Sequence, residues 1–223
     1  LKFQIIQTDD EAMKQIMALN EVLKLNPGSI AGNILLSDLY FQSGNSFKAK
    51  QVLEKSYEAN PDNSALVKKL AEYYLNSGLY DQADKLIDGF ESGDKTLDVL
   101  SVRISYYTKK DPDYDIKLAQ LLKEFPENHE LQFIQGLSLF GQKEFVAAES
   151  SFQKVLSLKP DFAIAYLYLS RISERQKDIA SEQFYIEKAF SIDPQNRDIL
   201  FKYLEMIYNS GDMIELENII NKY

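Results

Sequence analysis

A proline recurs along this 223-residue chain at an almost constant interval, at Pro27, Pro61, Pro126, Pro160 and Pro194. The steps from 27 to 61, from 126 to 160 and from 160 to 194 are each 34 residues, and the gap from 61 to 126 is 65. That gap fits one step of 34 ending at Lys95 and a shortened one of 31. Proline breaks a helix interior and biases the residue before it away from helical geometry, so each proline ends a helix. A period of this length predicts an all-α solenoid of antiparallel helix hairpins, each burying its apolar face against its neighbours. Such a fold presents a long concave surface rather than a closed pocket, so its expected business is holding another protein.

Aligned on their prolines, the segments share further anchors. Leu36, Ser37 and Tyr40 lie on one face of a first helix, Gly44 opens a turn, and Ala49, Leu53 and Ser56 line a second helix. The next segment offers Leu70, Ala71, Tyr74, Gly78, Tyr80, Ala83 and Ile87 in the same order. After Pro126 come Gly136, Phe145, Ala148, Phe152 and Val155; after Pro160 come Tyr166, Leu169, Ser170, Ile186 and Ala189. The last segment supplies Tyr203, Ile207, Gly211, Leu216 and Ile220. Large residues at i, i+3, i+4 and i+7 make the apolar stripe of each helix. Small residues (Ser37, Ala71, Gly136, Ser170) fall where two helices cross closely, with Ala49, Ala83 and Ala148 opposite. Asn60, Asp62, Asp161 and Asp193, beside the prolines, are the expected caps.

This order of residues resembles the tetratricopeptide repeat over about residues 20–223. The resemblance implies a right-handed α-solenoid of antiparallel helix hairpins, no catalysis, no cofactor, and a scaffold that binds an extended or helical partner segment in its inner groove. Residues 27–223 divide into about five repeats, preceded by 1–26 as the second helix of an incomplete one. Thr8 and Glu11 read as a capping box that opens this leading helix. The segment 96–126 departs from the pattern, and is read as a helix over 97–108, a turn over 109–113 and a short helix over 114–124. Glu182 stands where the family has Ala, and Phe90 where it has a small residue, so altered packing is expected at both.

The resemblance also places the partner-binding groove on the first helices. The transferred positions are Phe41, Lys68, Glu72, Phe133, Phe140, Arg171, Arg175, Phe201 and Tyr208. The aromatic ones are large groups on a face expected to be wet, and aromatic and Arg anchors each contribute roughly 2 kcal/mol or more where they are hot spots. The competing reading packs these rings on one another across neighbouring repeats. Asp38 and Glu72 occupy places where a chaperone-tail clamp needs cations or amides, so that use of the family is not expected here. Arg171 and Arg175, one turn apart, suit a partner carboxylate, unless Glu174 and Glu182 neutralise them as surface pairs.

Composition narrows the remaining classes. With 34 acidic and 25 basic residues the net charge is −9, which argues against nucleic acid as partner. There is no cysteine, so thiol chemistry and disulfides are excluded, and His129 is the only histidine. Asp111, Asp113 and Asp115 begin a calcium-loop pattern that fails at Ile116 and Leu122, leaving a turn whose Asp residues cap the next helix. No apolar run is long enough to insert in a membrane. The chain opens at Leu1 rather than Met, which reads as a piece of a longer or processed protein, and cytoplasm and a bacterial periplasm or envelope both stay open. The alternative to a groove-binding scaffold is a module that self-associates as a homodimer through terminal helices, at Ile219 and Ile220, or tethers a larger envelope or export assembly.

Overall fold

The computed structural model describes residues 2–90 and 95–223, with side chains from 11 onward. Among these residues there are thirteen helices and no strand. In chain order they are α1 (Lys2–Leu25), α2 (Ile30–Gln42), α3 (Ser46–Ala59), α4 (Ser64–Asn76), α5 (Tyr80–Asp88), α6 (Lys95–Thr108) and α7 (Tyr114–Glu124). They continue as α8 (His129–Gly141), α9 (Phe145–Leu158), α10 (Ala163–Gln176), α11 (Ile179–Ile192), α12 (Arg197–Ser210) and α13 (Met213–Lys222). The chain forms two compact units, Leu1–Pro112 and Asp113–Tyr223. The boundary falls inside the irregular repeat, so that α6 belongs to the first unit and α7 to the second.

In the first unit α1 packs on α2, α3 follows on α2, and α4, α5 and α6 continue the stack. Ala49 and Ala83 are fully buried and let the second helices approach the first ones, where Ser37 and Ala71 are equally enclosed. Leu53, Val67, Leu70 and Tyr74 fill the space between them, and Phe90 packs against this same core. Two charged contacts stitch its surface: Lys69 reaches Asp38 at 2.6 Å across α4 and α2, and Lys110 reaches Asp81 at 2.6 Å and Asp84 at 3.2 Å.

In the second unit α7 lies on α8, and α8 with α9, α10 with α11, and α12 with α13 form hairpins. Gly136 makes the tightest crossing: a Cβ there would sit 2.6 Å from the Phe152 ring. That ring is completely buried and stacks on Tyr168 at 5.1 Å. Ala148 and Ser170 are also fully enclosed, as the alignment of small residues requires.

Local chemistry explains the helix ends. Asn63, Asn128 and Asn196 each stand two residues past a proline and accept hydrogen bonds from the first backbone N–H groups of α4, α8 and α12. Ser29 does the same for α2. These are the N-terminal caps, because a cap oxygen must reach the N–H groups two or three residues on; Asn60 and Asp193 take the C-cap positions of α3 and α11, and Asp62 and Asp161 cap neither end. Asp113 takes the cap position of α7, but its side chain makes no capping bond. Six of the turns between successive helices each contain one residue with positive φ. Gly44, Gly78 and Gly211 supply it, while Lys109, Lys143 and Lys177 adopt it at φ 58°, 66° and 62°.

Two sequence expectations change. The leading helix begins at Lys2 and runs without a break to Leu25, so Thr8 lies inside it rather than at its start. The three-residue deficit expected between Lys95 and Pro126 falls before Lys95. Helix starts run from Ser64 to Lys95 in 31 residues, and from Lys95 to His129 in 34. The helix that lost length is α5, with 9 residues against 14 in α3. In the irregular repeat a longer turn, Lys109–Asp113, is offset by an α7 of only 11 residues, and the register at Pro126 is kept.

Candidate partner-binding surface

The second unit carries the most developed surface feature, and it is built around a buried lysine. Lys202 of α12 is only 7% exposed, and its ammonium donates to three carboxylates drawn from three helices. Glu182 of α11 accepts at 2.9 Å, Glu174 of α10 at 3.0 Å, and Glu205, one turn along α12, at 3.1 Å. Burial by itself favours the neutral amine; the bonds to Glu182, Glu174 and Glu205 outweigh it and raise the proton affinity of Lys202 above that of an ordinary lysine. Glu182, the residue that breaks the Ala pattern at Ala49, Ala83 and Ala148, is thus one arm of an ionic clamp. Lys202 carries no periodic signature in the sequence, because a lysine among helix-surface positions looks solvated until its partners are placed.

Above this clamp lies an open recess of about 650 Å³, walled by the first helices of three successive hairpins. From α8 comes Phe140, and from α10 come Arg171 and Arg175 beside Glu174. Opposite them α12 presents Asp198, Phe201, Lys202 and Glu205. Phe201 is 60% exposed, an aromatic ring standing in water. Arg171 lies over the Tyr168 ring at 5.3 Å, and burial pushes the Tyr168 hydroxyl up in pKa despite that neighbouring positive charge. Because Glu174 and Glu182 turn to Lys202, they do not pair with the arginines. Among the described residues no carboxylate lies within 4.0 Å of either guanidinium.

The structure therefore brings Phe140, Arg171, Arg175 and Phe201 together, and it disposes of the other groove positions differently. Phe133 is not on a wet face: it is half-buried among Phe152, Phe162 and Tyr168, at ring distances of 5.7, 4.9 and 6.0 Å. Phe140 is half-buried too, against Phe145 and Tyr168 at 5.6 and 5.2 Å, with one edge left to the recess. Tyr208 is exposed but stands apart from the residues that line it. In the first unit, Phe41 and Glu72 border a recess of only about 50 Å³, which the Lys69–Asp38 pair crosses. Phe41 meets the edge of Tyr73 at 5.9 Å. Lys69, not Lys68, is the lysine on that face. No helix among the described residues is long and apolar enough to cross a membrane.

Antiparallel hairpins stacked at a 34-residue spacing, with a recess formed by their first helices, define the class: an all-α solenoid module. Residues 31–63 and 117–161 each match a family model described as tetratricopeptide repeat. The TPR repeat-containing protein MJ1428 of Methanocaldococcus jannaschii is 26% identical over 219 residues, covering 87% of this chain and 38% of that protein. These matches mark both segments as tetratricopeptide repeats, and proteins built from this repeat are in general non-catalytic protein-interaction scaffolds. The chain spans about two fifths of the length of MJ1428 and of one other curated relative, and less of two more. Among solved structures, a chain of the APC/C hetero-tetramer Cut9–Hcn1 superimposes with a TM-score of 0.74 at 14% identity, covering 90% of this chain and 40% of that one. The human IFIT1 dimer with PPP-AAAA gives 0.72 at 16% identity, covering 95% and 54%. At these identities the likeness is one of fold.

Proposed function

We propose that this chain is a non-catalytic scaffold that holds a peptide segment of a partner protein along the first helices α8, α10 and α12. The observation that carries this reading is Phe201, an exposed ring beside two unneutralised guanidinium groups in one recess. Aromatic and Arg side chains are the groups that most often dominate interface energies, and a soluble surface rarely leaves them gathered without use. The test is a selection of random octapeptides on the purified chain, repeated on Phe201→Glu. Phe201 carries no core packing, so the variant should keep its helical circular dichroism. Peptides retained by the wild type and lost by the variant support the reading. A selection indifferent to Phe201→Glu sinks it.

Self-association is the second reading, and one observation favours it. On α13, Ile214 and Ile220 are 78% and 60% exposed, whereas Ile219 is buried in its own hairpin. A dimer by light scattering that Ile214→Glu/Ile220→Glu converts to monomer would put this reading first.

A further inference from the structure

From the Lys202 clamp we infer the chemistry of the segment that the recess takes: a peptide bearing an internal Asp or Glu side chain close to a bulky apolar residue. This deepens the groove reading and rests on it. The recess is lined by three cations and three acids, yet their charges are not equally available. Lys202 engages Glu174, Glu182 and Glu205, leaving the clamp itself with a net charge of −2 and its members committed to one another. Arg175 is exposed, Arg171, one turn earlier, lies against the Tyr168 ring, and neither has an ion-pair partner among the described residues. Two forks one helical turn apart match a single carboxylate, which each can bind through paired N–H donors. Phe201 and the free edge of Phe140 supply the apolar wall for the neighbouring residue.

The same charges choose between anions. Asp198, Glu174 and Glu205 line the recess with the arginines, so a ligand carrying many negative charges meets much more repulsion than one side-chain carboxylate does. A peptide fits this bipolar wall; a phosphate chain does not. Lys202 is then the positioning residue of the site. It touches no ligand, but by drawing Glu174 away from the flanking positions 171 and 175 it keeps the arginine pair open.

Octapeptides selected on the wild-type chain are sequenced, and the best is labelled for fluorescence anisotropy. The expected result is enrichment of Asp or Glu within two positions of Leu, Ile, Met or Phe, with affinity at least tenfold weaker for Arg175→Gln. Lys202→Met should also weaken binding, Lys202→Arg should retain it, and Glu174→Gln added to Lys202→Met should restore it. A purely structural role for Lys202 would not produce that rescue. If Lys202→Met does not fold, Arg175→Gln still decides, because this exposed side chain supports no packing. Neutral or basic selected peptides, binding of Arg175→Gln within twofold of wild type, or displacement by a 5′-triphosphorylated tetra-adenylate would overturn the inference. In those cases loss of binding in Phe201→Glu leaves the groove reading standing. A selection insensitive to Phe201→Glu removes both.

Discussion

Ser170 shows what a single atom costs at a helix crossing. Its position on α10 is fully enclosed, and among the described residues its hydroxyl finds no hydrogen-bond partner. A buried hydroxyl without a partner forfeits its hydration, at about 1–3 kcal/mol. Ala has nearly the same size and is the residue that the first unit uses at one of its two equivalent crossings, Ala71, the other being Ser37. Ser170→Ala is therefore expected to raise stability by about 1 kcal/mol, read as a higher urea midpoint with an unchanged slope; a lower midpoint would show that the hydroxyl is satisfied in solution. The need for a small residue here was legible from the sequence, because size follows the 34-residue period. What was not legible is polarity and partnership. Lys202 and Glu182 lie in different hairpins, and nothing in local spacing says that a surface-type lysine will be enclosed by carboxylates from three helices. For the same reason the sequence could not separate Phe133, which packs, from Phe201, which does not.

At the scale of the helix pair, two features set how the hairpins close. Gly136 brings α8 against α9 so tightly that the Phe152 ring occupies the space of a side chain. The ring cannot yield, because Phe133 and Tyr168 hold it on either side. Gly136→Ala should then destabilise the second unit by about 1–3 kcal/mol, although Ala is the better helix former, because overpacking outweighs propensity. An increase in thermal midpoint would mean that α9 moves aside freely. The hairpin turns behave in the opposite way. Lys143 and Lys177 hold left-handed backbone where Gly44, Gly78 and Gly211 do so without a Cβ. Both side chains are exposed, so replacing them loses no packing. Lys143→Gly/Lys177→Gly should gain about 1 kcal/mol or less overall, since Gly relieves the strain but costs entropy in the unfolded chain. Calorimetry of the double variant checks the sign, and a lower midpoint would refute it. Glycine periodicity alone hid these turns from the sequence, where only three of the six positions are Gly.

Across the whole molecule, the groups whose proton affinity folding changes most share one direction. Lys202 and Tyr74 are held well above their ordinary values, and Tyr168 and Tyr203 are raised as well. For Tyr74 the causes are burial and the 2.7 Å hydrogen bond it donates to Glu54, whose charge opposes a second anion. A raised folded pKa means that the native chain keeps a proton the unfolded chain releases. Its stabilisation is complete below the unfolded value, near 10 for both residue types, and is lost as pH rises through the folded value. Stability should consequently be level from about pH 7 to 9.5 and fall beyond about pH 10. The groups lie in both compact units, so the alkaline loss belongs to the chain as a whole and not to one recess. Tyr74→Phe removes one of these titrations while keeping the ring, and so should flatten the alkaline limb even if it lowers the plateau. Thermal midpoints from pH 7 to 11, with tyrosinate absorbance followed in parallel, test this. A decline that starts near pH 8, or an alkaline limb equally steep in Tyr74→Phe, would show that these groups do not control the high-pH limit.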